Sequence, residues 1–325
     1  MTAQKKTART AALVYNPIKV DLDALKAAVR DEPGAADWAV DWLPTSVEDA
    51  GQGPAQSALD AGAELVIVAG GDGTVRAVAE VMAGSDVALA LLPSGTGNLL
   101  ARNMKLTLDD VAESLRTAFT GQDHRIDVAR IDIRRQDASV DHHVFLVMAG
   151  TGLDAQVMSS TDDELKKKAG WLAYAQALVV VLRDKTILRL SYQVDSRRTR
   201  SERAQAFIVG NCGSLPANIT LLPEAVVDDG LLDVLVVKPE SLRGWLAVIV
   251  KIFWENGIVK RTALGRRMKE LNMRSVDTRQ GAVVTIRLNR PEIVQLDGDP
   301  FGEMTGCRAS VDPGALVVKV PASVA

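Results

Sequence analysis

The run Leu65-Val66-Ile67-Val68-Ala69-Gly70-Gly71-Asp72-Gly73-Thr74, with a helical pattern over residues 75–82 behind it, constrains this chain more than any other stretch. A strand with no polar alternation is buried on both faces, which points to a parallel sheet covered by helices. Glycines in the turn let the backbone approach a ligand closely, and successive N–H groups at a helix N-terminus make an anion site. Asp72 would repel a bare phosphate. It makes sense where a divalent cation stands between its carboxylate and the phosphates. The run is neither a Walker A loop nor a dinucleotide GxGxxG motif. A plain glycine turn with Asp72 as a helix cap is the local alternative.

The same rhythm extends over the first 125 residues or so. Residues 11–15, 39–43, 65–69 and 87–92 read as strands, and residues 22–30, 55–61, 75–82 and 109–119 as helices. A second glycine-rich turn, residues 93–98 (PSGTGN), ends the fourth strand. Loops at the carboxyl ends of strands in an open parallel sheet line one crevice, so two such loops point to a nucleotide site. Asn16-Pro17 ends a third strand on that edge, and Thr45 follows another. Thr45 and Thr96 offer hydroxyls to a phosphate or ribose, or cap helices.

From Ile126 the pattern changes. Residues 127–134, 144–149, 187–194, 204–209, 231–237, 283–288 and 293–296 are strand-like, and two helical stretches, 163–183 and 242–256, interrupt them. A last strand is expected over 315–320. The expected division is an α/β domain over 1–125, completed by 310–325, and a β-rich domain over 126–309. A length of 325 residues agrees with two domains at roughly 150 residues each.

Composition removes other classes. With 38 basic against 41 acidic residues and a net charge of −3, no global positive field gathers nucleic acid. Two distant cysteines, Cys212 and Cys307, and three histidines argue against a disulfide framework or a zinc site. The N-terminus lacks a secretory h-region with a cleavage site, and no apolar run is long enough to span a bilayer. A cytoplasmic protein is the expectation.

Taken together, residues 70–74 (GGDGT), 93–98 (PSGTGN), 229–233 (DGLLD) and 296–299 (LDGD) resemble, in order, the bacterial diacylglycerol kinase-like lipid kinases. That family includes the sphingosine and ceramide kinase catalytic domains. The run 165–174 (LKKKAGWLAY) looks like a further family segment, and the resemblance covers almost the whole chain. It implies a phosphofructokinase/NAD-kinase-like α/β domain plus a β-sandwich domain, with ATP in the cleft between them. Phosphate contacts carry over to Gly70, Gly71, Asp72, Gly73 and Thr74, with Asn16, Thr45 and Thr96 as further nucleotide contacts. The family's catalytic base falls on Asp299, with Asp297 as a second carboxylate; a lipid hydroxyl attacks well only as its proton is accepted. Mg²⁺ is implied at Asp72 and, as a structural ion, at Asp229 with the carbonyls of Val226 and Leu231. Without the resemblance, residues 297–299 and 228–230 read simply as turns.

Three departures from the family pattern stand out. Ile18-Lys19-Val20 replaces a small residue and glycine after Asn-Pro, Arg76 stands where the family has Asn, and the final Glu is shortened to Asp299. A lipid acceptor implies work at a membrane surface. Residues 241–274 hold eight basic and two acidic residues beside Trp245, Phe253 and Trp254, a candidate peripheral contact with the inner membrane face, or alternatively a buried helix with a solvated charged flank. A homodimer is compatible with this reading. The competing readings are an NAD kinase and a nucleotide- or lipid-binding protein weakened in catalysis.

Overall fold

The computed structural model describes residues 9–152, 187–215, 219–238 and 276–322. The helices expected over 163–183 and 242–256, the run 165–174 and the basic segment 241–274 lie outside them. The chain divides into two compact units, one of Met1–Val128 with Pro313–Ala325 and one of Ala129–Asp312.

The first unit alternates strands and helices. β1 (Arg9–Tyr15), α1 (Leu22–Asp31), β2 (Trp38–Pro44), α2 (Gln52–Asp60), β3 (Leu65–Gly70), α3 (Asp72–Met82), β4 (Ala88–Pro93), α4 (Leu99–Asn103) and α5 (Val111–Thr120) follow one another. β1 pairs in parallel with both β2 and β3, and β3 with β4. All six residues of β3 are buried, as an unbroken apolar strand requires when helices cover both sheet faces. Chain order reverses direction across the sheet between β1 and β3. That switch point is where an open α/β sheet forms its ligand crevice, at the carboxyl ends of its strands. Asp21 caps α1 by accepting from the amides of Asp23 and Ala24, and Asp110 caps α5 through Glu113. Helix α2 starts three residues before the expected boundary and α3 at Asp72 itself.

The second unit is antiparallel sheet. Its strands are β5 (Gln122–Arg134, begun in the first unit), β6 (Val140–Phe145), β7 (Met148–Thr151), β8 (Leu188–Val194), β9 (Arg200–Ala204), β10 (Ala206–Gly210), the short β11 (Ser214–Leu215) and β12 (Ile219–Thr220), β13 (Leu232–Val237), β14 (Val276–Gly281), β15 (Val283–Leu296) and β16 (Asp299–Val320). β14, β13, β10, β7, β15 and β16 lie side by side, and β8 joins β15 to β9. A core of Ile131, Phe145, Leu188, Leu190, Tyr192, Phe207, Val234, Ile286 and Leu296, among others, fills this unit. Past Pro313, β16 belongs to the first unit, where Val318 pairs in parallel with Leu89 of β4. Asp127 holds this return by accepting from the Gly314 amide at 2.8 Å.

Three expectations change in detail. The strand expected over 144–149 is two strands with a turn at Leu146-Val147, the strand over 204–209 is likewise two, and the strands over 283–288 and 293–296 are one bulged strand. β14 had no counterpart in the sequence reading. No helix among the described residues is long and apolar enough to cross a membrane.

Candidate active site

Four segments expected at the nucleotide follow adjacent parallel strands of the first unit. Backbone hydrogen bonds extend the sheet into these loops: Asn16 donates to Ala69, Thr45 to Tyr15 and Ser94 to Gly70, at 3.0, 2.9 and 3.1 Å. Asn16, Thr45, the 70–74 turn and the 93–98 turn are thereby brought to one sheet edge.

The two glycine turns touch. A Cβ on Gly95 would fall 2.8 Å from the Gly71 Cα, so at this contact only glycine leaves room for the opposing backbone. Asn98, buried and at φ 46°, grips the loop from within: its Oδ1 accepts from the Gly95 amide and its Nδ2 donates to the Gly95 carbonyl. Arg102 donates to the Gly97 carbonyl at 2.6 Å. α3 begins without a side-chain cap on its first amides. Those amides point out of the helix end, where the partial positive charge favours an anion.

Asp72 has a role that the sequence did not suggest. Its Oδ1 accepts from the Leu99 amide at 2.5 Å, across 27 residues. The carboxylate therefore ties the start of α3 to the start of α4 and fixes one glycine turn against the other. Among the described residues no three His, Cys, Asp or Glu side chains gather around Asp72, so a cation there would be held between Asp72 and the phosphates rather than in a protein cage.

Of the departures, Lys19 is the most telling. Its Nζ lies 3.0 Å from the point a Cβ would take on Gly71, so its ammonium stands over the glycine turn. The Asn16 side chain shapes this loop by accepting from the Ile18 amide at 3.0 Å. A cavity of about 330 Å³ opens alongside, lined by Lys19, Asp21, Pro93, Ser94, Asp110 and Ser114 among others. Arg76 is buried at 6 % exposure in α3.

In the second unit, residues 297–299 form a two-residue hairpin: Leu296 pairs with Asp299, and Asp297 and Gly298 take φ of 50° and 96°. Positive φ at both central positions is the primed turn that suits the strand twist. Asp299 is exposed at the start of β16. Asp297 is 5 % exposed, and its carboxylate accepts from the amides of Leu146, Val147 and Met148 at 2.9, 2.8 and 2.9 Å. The expectation of Asp297 as a second catalytic carboxylate is corrected on this geometry. A buried group with its oxygens committed to three amides positions the hairpin that carries Asp299.

At the position of the expected structural ion, Asp229 closes a turn. Asp229 Oδ1 accepts from the Leu231 amide at 2.9 Å, closing the turn into β13, while Val226 is exposed. Buried Asp233 nearby has its pKa raised, first by desolvation and then by the charges of Asp229 and Glu224.

A parallel sheet with two touching glycine turns at the ends of β3 and β4, joined in one chain to a β-sandwich unit, is the phosphofructokinase/NAD-kinase-like fold. Residues 10–131 match the diacylglycerol kinase catalytic domain, and residues 147–320 match the YegS C-terminal NAD kinase beta sandwich-like domain. The chain belongs to this family of diacylglycerol kinase-like proteins. It is 31 % identical over 270 residues to a probable lipid kinase YegS-like of Pseudomonas aeruginosa (strain UCBPP-PA14), covering 82 % of this chain and 80 % of that one. A Cronobacter sakazakii protein of the same description is 28 % identical over 324 residues, covering 95 % of both. Among solved structures, a putative diacylglycerol kinase from Bacillus anthracis str. Sterne superposes with a TM-score of 0.72 at 21 % identity, over 99 % of this chain and 100 % of that one. An ATP complex of an NAD kinase from Archaeoglobus fulgidus reaches 0.52 at 10 % identity, over 97 % and 95 %. These two show the shared fold.

Proposed function

We propose that this protein is an ATP-dependent lipid kinase that transfers the γ-phosphoryl group to a lipid hydroxyl, with diacylglycerol the leading acceptor, giving phosphatidic acid, and a sphingoid-type lipid the next. The observation that carries the reading is the Gly71–Gly95 contact between the loops that end β3 and β4, with the α3 amides and Lys19 beside it. Phosphoryl transfer asks mainly for positioning and for neutralisation of charge on the phosphates. Gly70 to Thr74 and Lys19 would meet the phosphates, and Asn16, Thr45 and Thr96 the rest of the nucleotide. Mg²⁺ enters as the MgATP substrate, an ion that keeps most of its own waters and needs few protein ligands.

Asp299 is the proposed proton acceptor. As the lipid oxygen bonds to the γ-phosphorus, the bond from that phosphorus to the bridging β–γ oxygen breaks and ADP leaves. The hydroxyl proton passes to the Asp299 carboxylate. Asp297 holds the hairpin from which Asp299 projects. The acceptor lies in a bilayer, so the protein works as a peripheral visitor to a membrane surface.

The test is incubation with labelled ATP, Mg²⁺ and mixed micelles of diacylglycerol or sphingosine, with NAD in a parallel reaction. Label in the lipid is the expected result. Label in NADP would instead make it an NAD kinase, a reading favoured only by the shared fold. Nucleotide binding with no labelled product would leave a binding protein.

A further inference from the structure

The described residues that line a second cavity all belong to the second unit. The cavity measures about 1110 Å³, and its lining includes Arg189, Arg203 and Arg287 with Ser191 and Ser201. Strand register explains the grouping. β8 pairs with β9 so that Arg189 stands directly opposite Arg203 and Ser191 opposite Ser201, and β15 places Arg287 opposite Ser191. Their neighbours Leu188, Leu190, Tyr192 and Ile286 point into the core, so alternation sends the arginines and serines to the other face.

The three arginines are exposed, and two of them, Arg189 and Arg203, set like charges opposite each other. Like charges directly opposite across two strands destabilise a sheet. The cavity also holds Lys238 and Glu202, but these pair with each other at 3.3 Å. Among the described residues, Arg189, Arg203 and Arg287 form no ion pair. Three exposed arginines placed by strand register on one sheet face, with two serine hydroxyls among them, offer the donors that recognise phosphate oxygens. Ile187, 42 % exposed, and Leu288 put apolar surface beside the charges.

We propose that this arginine–serine face is a binding site for a phosphate ester, separate from the nucleotide site. A bilayer phospholipid headgroup and a soluble phosphate ester share this chemistry, and the proposal does not depend on the lipid-kinase reading because its test involves no turnover. Thermal unfolding of the full chain is followed with and without inorganic phosphate, beside flotation with vesicles of phosphatidylcholine alone or with added phosphatidic acid. The parent, Arg189→Gln, Arg203→Gln and a control, Arg116→Gln on α5, are compared. In phosphate-free buffer both cavity variants should melt no lower than the parent, because like-charge repulsion is relieved. Each should bind phosphate or anionic vesicles roughly tenfold more weakly or worse, the effect of one charge-assisted hydrogen bond, while the control matches the parent. Variant-sensitive flotation with anionic vesicles assigns a lipid headgroup. Variant-sensitive stabilisation by phosphate without such flotation assigns a soluble ester. If the cavity variants match the parent in both arms, or melt lower in phosphate-free buffer, the proposal is overturned.

Discussion

The Asp72 carboxylate accepts a hydrogen bond from the Leu99 amide nitrogen, 2.5 Å away, and so couples the two glycine turns of the first unit. Asp72→Ala should let the 93–98 loop relax from the α3 end. A charge-assisted hydrogen bond of about 1.5–3 kcal/mol is lost, which predicts a KM for ATP raised roughly tenfold to a hundredfold. Steady-state kinetics with ATP varied, read beside the thermal unfolding midpoint, test this. An unchanged KM would deny the coupling any part in nucleotide binding.

Asp299→Asn removes the proposed proton acceptor and leaves the glycine turns of the first unit untouched. Turnover should fall by about 10²–10⁴-fold, the usual worth of a general base, with ATP affinity retained. Asp299→Glu, which restores the family's residue, should keep most of the activity. Equilibrium binding of a fluorescent ATP analogue separates affinity from turnover.

Asp297→Ala leaves three buried amides of the 146–148 turn without their acceptor. Destabilisation on the order of 3 kcal/mol is expected. The readout is a thermal midpoint several degrees lower, with Asp297→Asn intermediate because it retains one acceptor oxygen. A variant as stable as the parent would refute the positioning role.

Lys19→Ala takes a cation from above Gly71. The KM for ATP should rise while kcat changes little, and the KM should depend less on salt than in the parent, since an exposed charge is screened. Equal salt dependence in the two proteins would remove Lys19 from the phosphate site.

Burial raises the Asp233 pKa, helped by Asp229 and Glu224. A carboxylate with a raised folded-state pKa binds its proton more tightly folded than unfolded. Stability therefore falls as pH rises from the ordinary carboxylate value through the folded one, and the full penalty persists at neutral pH. Asp233→Asn should raise the unfolding midpoint at pH 7, and this gain should vanish in acid, where both states of Asp233 are protonated. A midpoint gain that does not vary with pH would contradict the assignment.

Much of the α/β unit was legible because its signals are local. Short strand runs closed by turns, with β1, β3 and β4 mostly apolar and buried, specify a parallel sheet without reference to anything distant. The sandwich was harder to read. β14 (VDTRQG) lacks a run of large apolar residues, and its place is fixed by pairing with β13. Asn289-Arg290-Pro291 looks like a break, yet β15 passes through it as a bulge because its partners on both sides hold it.

Sequence alone determined the glycine turns, their order and the acidic hairpin, since backbone freedom and unbroken burial are written residue by residue. Tertiary structure decided what the carboxylates do. Asp72 meets an amide 27 positions away and Asp297 meets three about 150 away. A carboxylate's role depends on which donors surround it, and donors brought together by folding leave no trace in the spacing of residues along the chain.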